Sequence, residues 1–367
     1  MPNHHPSNER IKRQYLTFLK EAKRQSEATV DDVANALAAF EEDTKWRDFR
    51  AFRREQAVAF KRHLAERLSQ KTGAKLSKAT MHATLAHLRR FFQWLAGQPG
   101  FKSKLTYSDS EYFGLSEKDT RVAMARHPVK FPTVEQVKHV LATMPSTTDV
   151  QRRDRALIAF VLLTGARDSA VASMRLKHVD LASRSVFQDA REVKTKFSKT
   201  FTTYFFPVGD EVRQIVEDWV RYLREGKLWG NDDPIFPSTA VTLGAEQHFE
   251  VTGLKRSHWS SASPIRTIFR AAFEGAGLPY FHPHSLRHTL GQRGQQQCQT
   301  IEQFKAWSQN LGHEEVLTTL TNYGYVAPQR QGELILGLGA PRHSDRPDIE
   351  LMAEAVARHL RSLEAAG

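Results

Sequence analysis

Cysteine is nearly missing from this sequence: one residue, Cys298, among 367. A single thiol excludes an internal disulfide and any metal site built on paired cysteines, and it fits a reducing compartment. Long apolar runs are missing too. The longest unbroken one, residues 156–163, has eight residues, far short of the roughly 20 that span a bilayer as a helix. The opening residues, MPNHHPSNERIKRQ, hold no apolar stretch of the secretory-signal kind. The expected setting is therefore the cytoplasm, with no membrane partner. Acidic residues are in deficit, 41 Asp and Glu against 53 Lys and Arg, for a formal net charge of +12. That excess favours polyanions, because each phosphate neutralised by a basic side chain releases condensed counterions. Nucleic acid leads as partner, ahead of acidic lipids or proteins.

What is present suggests two domains, from the length and from a 40% apolar content that can fill real cores. Residues 1–97 read as a helical unit. Ser7 can cap a first helix carrying Ile11, Tyr15, Phe18 and Leu19, and Thr29, followed by Asp31 and Asp32, can cap a second. A third spans roughly residues 47–68. The fourth carries Met81, Leu85, Leu88, Phe92 and Leu95 as one apolar stripe ending at Gly97. Arg47, Arg50, Arg53, Arg54, Lys61, Arg62, Arg89 and Arg90 fall largely on polar faces, where they are either solvated or meet phosphates.

Hydrophobic periodicity lapses over residues 98–130, which read as an interdomain linker. Thr133 and Gln136 then form a capping box that opens a second domain, residues 131–345. Helices dominate it, with starts expected at Glu211, Ser263, Ser285 and Thr300. Residues 185–207 are the exception, where SVFQDAREV and TFTTYFFP flank KTKFSK as a β-hairpin. Residues 225–262, with NDDP and SSASP, read as a loop region. After the break GLGAPRHSDRP, residues 346–367 carry Leu351, Val356, Leu360 and Leu363 on one face of a tail helix. That face either docks on another protomer or folds back on its own domain. The fold class is mainly α, with a small antiparallel sheet.

Three short segments carry side chains suited to chemistry. In LLTGARDSA, Arg167 follows directly on an apolar helix ending at Thr164-Gly165, so a guanidinium stands on rigid support. On that segment alone, capping of the helix carbonyls is the simpler account. In FHPHSLRHTL, His284 and Arg287 are three apart and share a helical face, an arrangement suited to an anion. His284 and His288 are spaced as metal ligands can be, but Arg287 between them would repel a cation, and no metal or other cofactor is expected. In LGHEEVLTTLTNYGYV, His313 precedes Tyr323 by ten residues and Tyr325 by twelve. A phenol with its ordinary pKa near 10 is a poor nucleophile unless cations surround it.

In the order Arg, His-x-x-Arg, Leu-Gly-His, Tyr, these segments resemble the tyrosine recombinases of the phage-integrase family. The resemblance spans about residues 7–330, including the helical N-terminal core-binding unit and the helical catalytic domain with its hairpin. It implies that Tyr323, with Tyr325 as the rival, attacks a DNA phosphodiester to leave a 3′-phosphotyrosyl link and a free 5′-hydroxyl. Arg167 and Arg287 would meet the phosphoryl oxygens with planar forks, and His284 and His313 would add hydrogen bonds or move protons. A hairpin lysine would protonate the leaving oxygen. Lys196 matches best, with Lys194 and Lys199 as alternatives. The implied partners are double-stranded DNA and further copies of the chain, a tetramer in the synaptic complex. Two rival readings are a type IB topoisomerase and a DNA-binding protein without catalysis.

Overall fold

The computed structural model describes residues 4–69, 73–125, 129–243 and 248–313. The chain divides into two compact units, Met1–His127 and Pro128–Gly367.

The first unit is helical. Helix α1 (Pro6–Thr17) begins with proline at its first position, where the missing N–H costs nothing. Its cap position is His5, not Ser7. Helix α2 (Glu27–Asp43) is capped by Ser26, which accepts from the Thr29 amide, three residues before the expected cap. The third helix is broken: a 3₁₀ turn over Phe49–Ala51 precedes α3 (Arg54–Glu66). Helix α4 (Lys78–Ala96) buries Met81, Leu85, Leu88, Phe92 and Leu95 as its stripe requires, and Gly97 ends it. Phe40, Phe49, Phe52, Phe60, Phe91, Phe92 and Phe113 fill the core, most in edge-to-face pairs such as Phe40–Phe60 at 5.3 Å. Asn8, 1% exposed, joins α1 to α2 and the following loop through Glu41 Oε1 (3.0 Å), the Arg47 carbonyl (2.9 Å) and the Phe49 amide (3.0 Å).

The stretch expected to be linker belongs in large part to this unit. Helices α5 (Tyr107–Ser110) and α6 (Glu117–Met124) lie within it, and Phe101, Leu105 and Phe113 are buried in the same core as α4. Its polar residues hold several of the cations assigned to open faces. Arg89 pairs with Glu111, Arg54 donates to the Tyr112 hydroxyl, Lys61 donates to the Gly114 carbonyl, and Arg50 lies over the Phe101 ring. Irregular spacing of apolar residues hid a segment that is anchored by single large side chains rather than by a stripe.

In the second unit, α7 (Val134–Thr143) opens with the Thr133–Gln136 capping box. Helix α8 (Asp149–Thr164) runs through the core with residues 156–163 no more than 1% exposed, and the short α9 (Asp168–Val171) follows. Strands β1 (Val179–Asp180), β2 (Ser185–Gln188) and β3 (Phe201–Tyr204) form one antiparallel sheet in that order, with Ser185 opposite Tyr204 and Gln188 opposite Phe201. Strand β2 stops well before Val193, because the Asp189 carboxylate turns back to accept from the amide and guanidinium of Arg191. Those bonds hold Asp189 at a pKa of about 2.

Helix α10 (Asp210–Arg221) follows. The region read as a loop then contains a second antiparallel hairpin, β4 (Ser238–Leu243) with β5 (Phe249–Lys255), bulged beside Gly253. STAVTL and FEVTGLK are rich in β-branched residues, and the polar flanks masked that signal. Buried Arg153 anchors the hairpin's base through the Pro237 carbonyl (3.0 Å) and the Thr239 hydroxyl (2.9 Å). Helices α11 (Ser263–Gly275), α12 (Ser285–Gln297) and α13 (Ile301–Asn310) complete the described chain. The whole is mainly helical with small antiparallel sheets, as the sequence reading expects.

Candidate active site

The corner that carries Arg167 is built by the end of α8. The Thr164 hydroxyl donates back to the Phe160 carbonyl (2.7 Å) and accepts from the Ala166 amide (3.2 Å), which closes the turn. Gly165 takes a left-handed conformation, φ +62°. A Cβ there would stand 2.9 Å from Leu311 Cδ2 and 3.0 Å from Leu290 Cδ1, so both the backbone and the space demand glycine. Three carbonyls at this corner have other donors: Val161 takes the Gly165 amide, Leu163 takes the Phe206 amide, and Gly165 takes Arg287. They do not require Arg167, which stands half-buried at the cap position of α9. Asp168 beside it is held by Arg266 through two bonds of 2.9 and 3.0 Å.

His284 caps α12 after the turn that Ser285 makes with the His282 carbonyl (2.6 Å). One turn on, Arg287 is 2% exposed. Its Nη1 donates to the Gly165 carbonyl (2.5 Å), and its Nη2 donates to the Leu311 carbonyl (2.5 Å) and meets His313 Nε2 at 3.1 Å. One guanidinium thus binds all three motif segments together. Both terminal nitrogens are already tied to protein, which qualifies the expected presentation of a planar fork. Its Nε is buried and has no hydrogen-bond partner among the described residues. A buried donor left open in this way calls for an explanation, and an anionic oxygen arriving with a ligand supplies one.

His313 is 8% exposed. Burial, with the charges of Arg287, Arg167, Lys199 and His284 added, pushes its pKa down to about 3. His284 is lowered to about 4, first by the surrounding protein and then by Arg287, His288, Arg167 and His282. Its residue surface is exposed, so solvent screens that shift more than the one at His313. Both imidazoles are therefore neutral at pH 7. With Arg287 donating to its Nε2, His313 is assigned its remaining proton on Nδ1. Mutual charge effects connect Arg167, Arg287, His284 and His313, which come from the ends of α8, α12 and α13. The structure brings these four together.

The lysines separate. Lys196, itself exposed, heads a 3₁₀ turn, Lys196–Ser198. Lys199 leads into β3, and its charge is among those that act on His313. Lys194 acts on His258 instead, and its backbone is tied to Ser173 and Ser169. The pattern KTKFSKT offers no periodicity by which to choose among them. The glycine of the Leu-Gly-His motif has a packing reason that the sequence does not show: Gly312, φ +73°, packs so closely on the Phe201 ring that a Cβ would approach it to 2.7 Å. Tyr323, Tyr325 and the tail at 346–367 lie outside the described residues. Among the described residues no group of three or more His, Cys, Asp or Glu side chains gathers as metal ligands.

Residues 130–330 match the sequence profile of the phage integrase family. The chain belongs to that family. As a phage integrase family member it is a DNA breaking-and-rejoining enzyme of the tyrosine recombinase kind, and the topoisomerase and non-catalytic readings are not favoured. The tyrosine recombinase XerC of Lactobacillus delbrueckii subsp. bulgaricus is 24% identical over 324 residues, 87% of this chain and 95% of the relative. Among solved structures, a lambda integrase (75–356) dimer bound to a COC′ core site has a TM-score of 0.60 at 13% identity, covering 93% of this chain and 99% of that one. A lambda integrase tetramer bound to a Holliday junction gives 0.59 at 14% identity, with 89% and 84% covered. At those identities the likeness is one of fold.

Proposed function

We propose that this phage integrase family member is a site-specific recombinase in which Tyr323 attacks the scissile phosphorus of double-stranded DNA. The Tyr323 Oη–P bond forms as the P–O5′ bond breaks, leaving a 3′-phosphotyrosyl link and a 5′-hydroxyl. Arg167 and the open Nε of Arg287 meet the charge that builds on the phosphoryl oxygens. His284, neutral before the phosphate is engaged, is available to accept the phenolic proton, whereas His313, its Nε2 already taken by Arg287, can donate its Nδ1–H to the phosphate. Lys199, which leads directly into β3 and whose charge is among those acting on His313, protonates the departing O5′, with Lys196 and Lys194 as the alternatives. Rejoining reverses these steps on a different DNA end, and the phosphotyrosyl bond conserves the energy it needs.

The observation that carries this reading is the buried Arg287 guanidinium, bonded to Gly165, Leu311 and His313, with its Nε still open among the described residues. Exchange between two duplexes calls for four protomers. The likeness to a lambda integrase tetramer on a Holliday junction supports that assembly, with the tail at 346–367 as the protomer contact and the N-terminal unit as a second clamp on DNA. Covalent trapping on a nicked substrate tests the nucleophile. Tyr323→Phe is expected to bind DNA as the parent does and form no adduct, whereas Tyr325→Phe still forms it; the reverse pattern transfers the role to Tyr325. A two-site exchange assay run beside plasmid relaxation distinguishes recombination from relaxation alone.

A further inference from the structure

Strand β3 lies at the edge of its sheet, and in register with β2 the amide and carbonyl of Tyr204 point away from that strand. Such an edge leaves a donor and an acceptor without a neighbouring strand. Here the side-chain amide of Asn310 takes that place. Its Oδ1 accepts from the Tyr204 N–H at 2.7 Å and its Nδ2 donates to the Tyr204 carbonyl at 2.8 Å. The Asn310 backbone carbonyl also accepts from the buried Thr203 hydroxyl (3.1 Å), itself held by Gln188 Nε2 (3.1 Å).

Asn310 ends α13, and a run of backbone bonds carries the chain from it to His313. The Leu311 amide bonds to the Trp307 and Ser308 carbonyls, the Gly312 amide to Gln309, and the His313 amide to Ser308. On the other side, β3 runs back from Tyr204 to Phe201, with Lys199 two residues upstream. We infer that Asn310 is a positioning residue: by pairing with both backbone groups of Tyr204, it fixes the lysine-bearing turn against the corner that holds Arg287 and His313. Its side-chain amide is committed to the Tyr204 backbone, and its contribution falls on protonation of the leaving O5′. The inference rests on Lys199 being the proton donor proposed above.

The experiment compares single-turnover cleavage of ordinary DNA with cleavage of the same site carrying a 5′-bridging phosphorothiolate, whose sulfur leaves without a proton. Lys199→Ala should slow ordinary cleavage by about 10² or more, as for loss of a general acid, and recover near-parental rates on the sulfur substrate. Asn310→Ala should follow the same pattern more weakly, roughly 10- to 100-fold slower on ordinary DNA, as for a displacement of the order of 1 Å, and within about three-fold of the parent on the sulfur substrate. Asn310→Asp keeps the acceptor for the Tyr204 amide, should show the same pattern in smaller measure, and serves if the alanine variant does not fold. Equal slowing on both substrates, or none on either, overturns the positioning role while Lys199→Ala is still rescued. Failure to rescue Lys199→Ala overturns the lysine assignment, and the inference falls with it.

Discussion

His313 illustrates how much a single side chain's surroundings decide. An unfolded chain protonates its imidazole near the ordinary value of about 6.5, whereas in the fold burial and the Arg287 charge hold the value to about 3. As pH falls through 6.5, the unfolded state takes up a proton that the folded state refuses. Stability is therefore fully present above about 6.5 and is lost as pH falls, up to about 1.4 kcal/mol per unit for a fully shifted group, levelling off near 3. His284 contributes in the same direction down to about 4, to a lesser degree because of its exposure. Urea unfolding of His313→Asn between pH 7 and 4 should give a shallower pH dependence than the parent, and an unchanged slope would mean that the imidazole is charged in the fold. That Arg167, His284, Arg287 and His313 would gather at one place was legible in the sequence, because the order of the motifs implied it. Their bonding was not. Nothing in HSLRHT announces that Arg287 spends its terminal nitrogens on the Gly165 and Leu311 carbonyls, since those partners come from segments 122 and 24 residues away.

At the scale of elements, regular periodicity was readable and single anchors were not. Helix α4 and the Thr133 capping box follow from spacing alone. The residue 98–130 stretch did not, because Phe101, Leu105 and Phe113 each fill a separate hole without forming a stripe. The β4–β5 hairpin was lost behind its polar flanks, and KTKFSKT has no spacing by which to choose between Lys196 and Lys199. Glycines mark the tightest joints between elements. At Gly165 an added methyl would meet two leucines in a left-handed turn. Gly165→Ala should cost roughly 1–3 kcal/mol of stability, read as a lower urea midpoint with an unchanged slope. It should also slow cleavage, because the Gly165 carbonyl is a ligand of Arg287. A variant with the parent's midpoint would mean that the α8 corner yields to a methyl group at little cost.

For the molecule as a whole, the charge of +12 sets how it meets DNA. If six to ten phosphates are contacted, affinity should fall by roughly 10³ to 10⁵ between 50 and 200 mM salt, as measured by fluorescence anisotropy on a duplex. A nearly flat dependence would assign the basic excess to some other task. Fold class and the succession of helical and mixed units were visible from composition and periodicity, while the boundary at His127 and Pro128 needed the packing of residues 98–124. The clasp that Arg287 makes across Gly165, Leu311 and His313 makes one side chain the common fastening of three distant stretches of chain. Losing it would loosen all three at once, so a defect at this position spreads through the second unit instead of staying local.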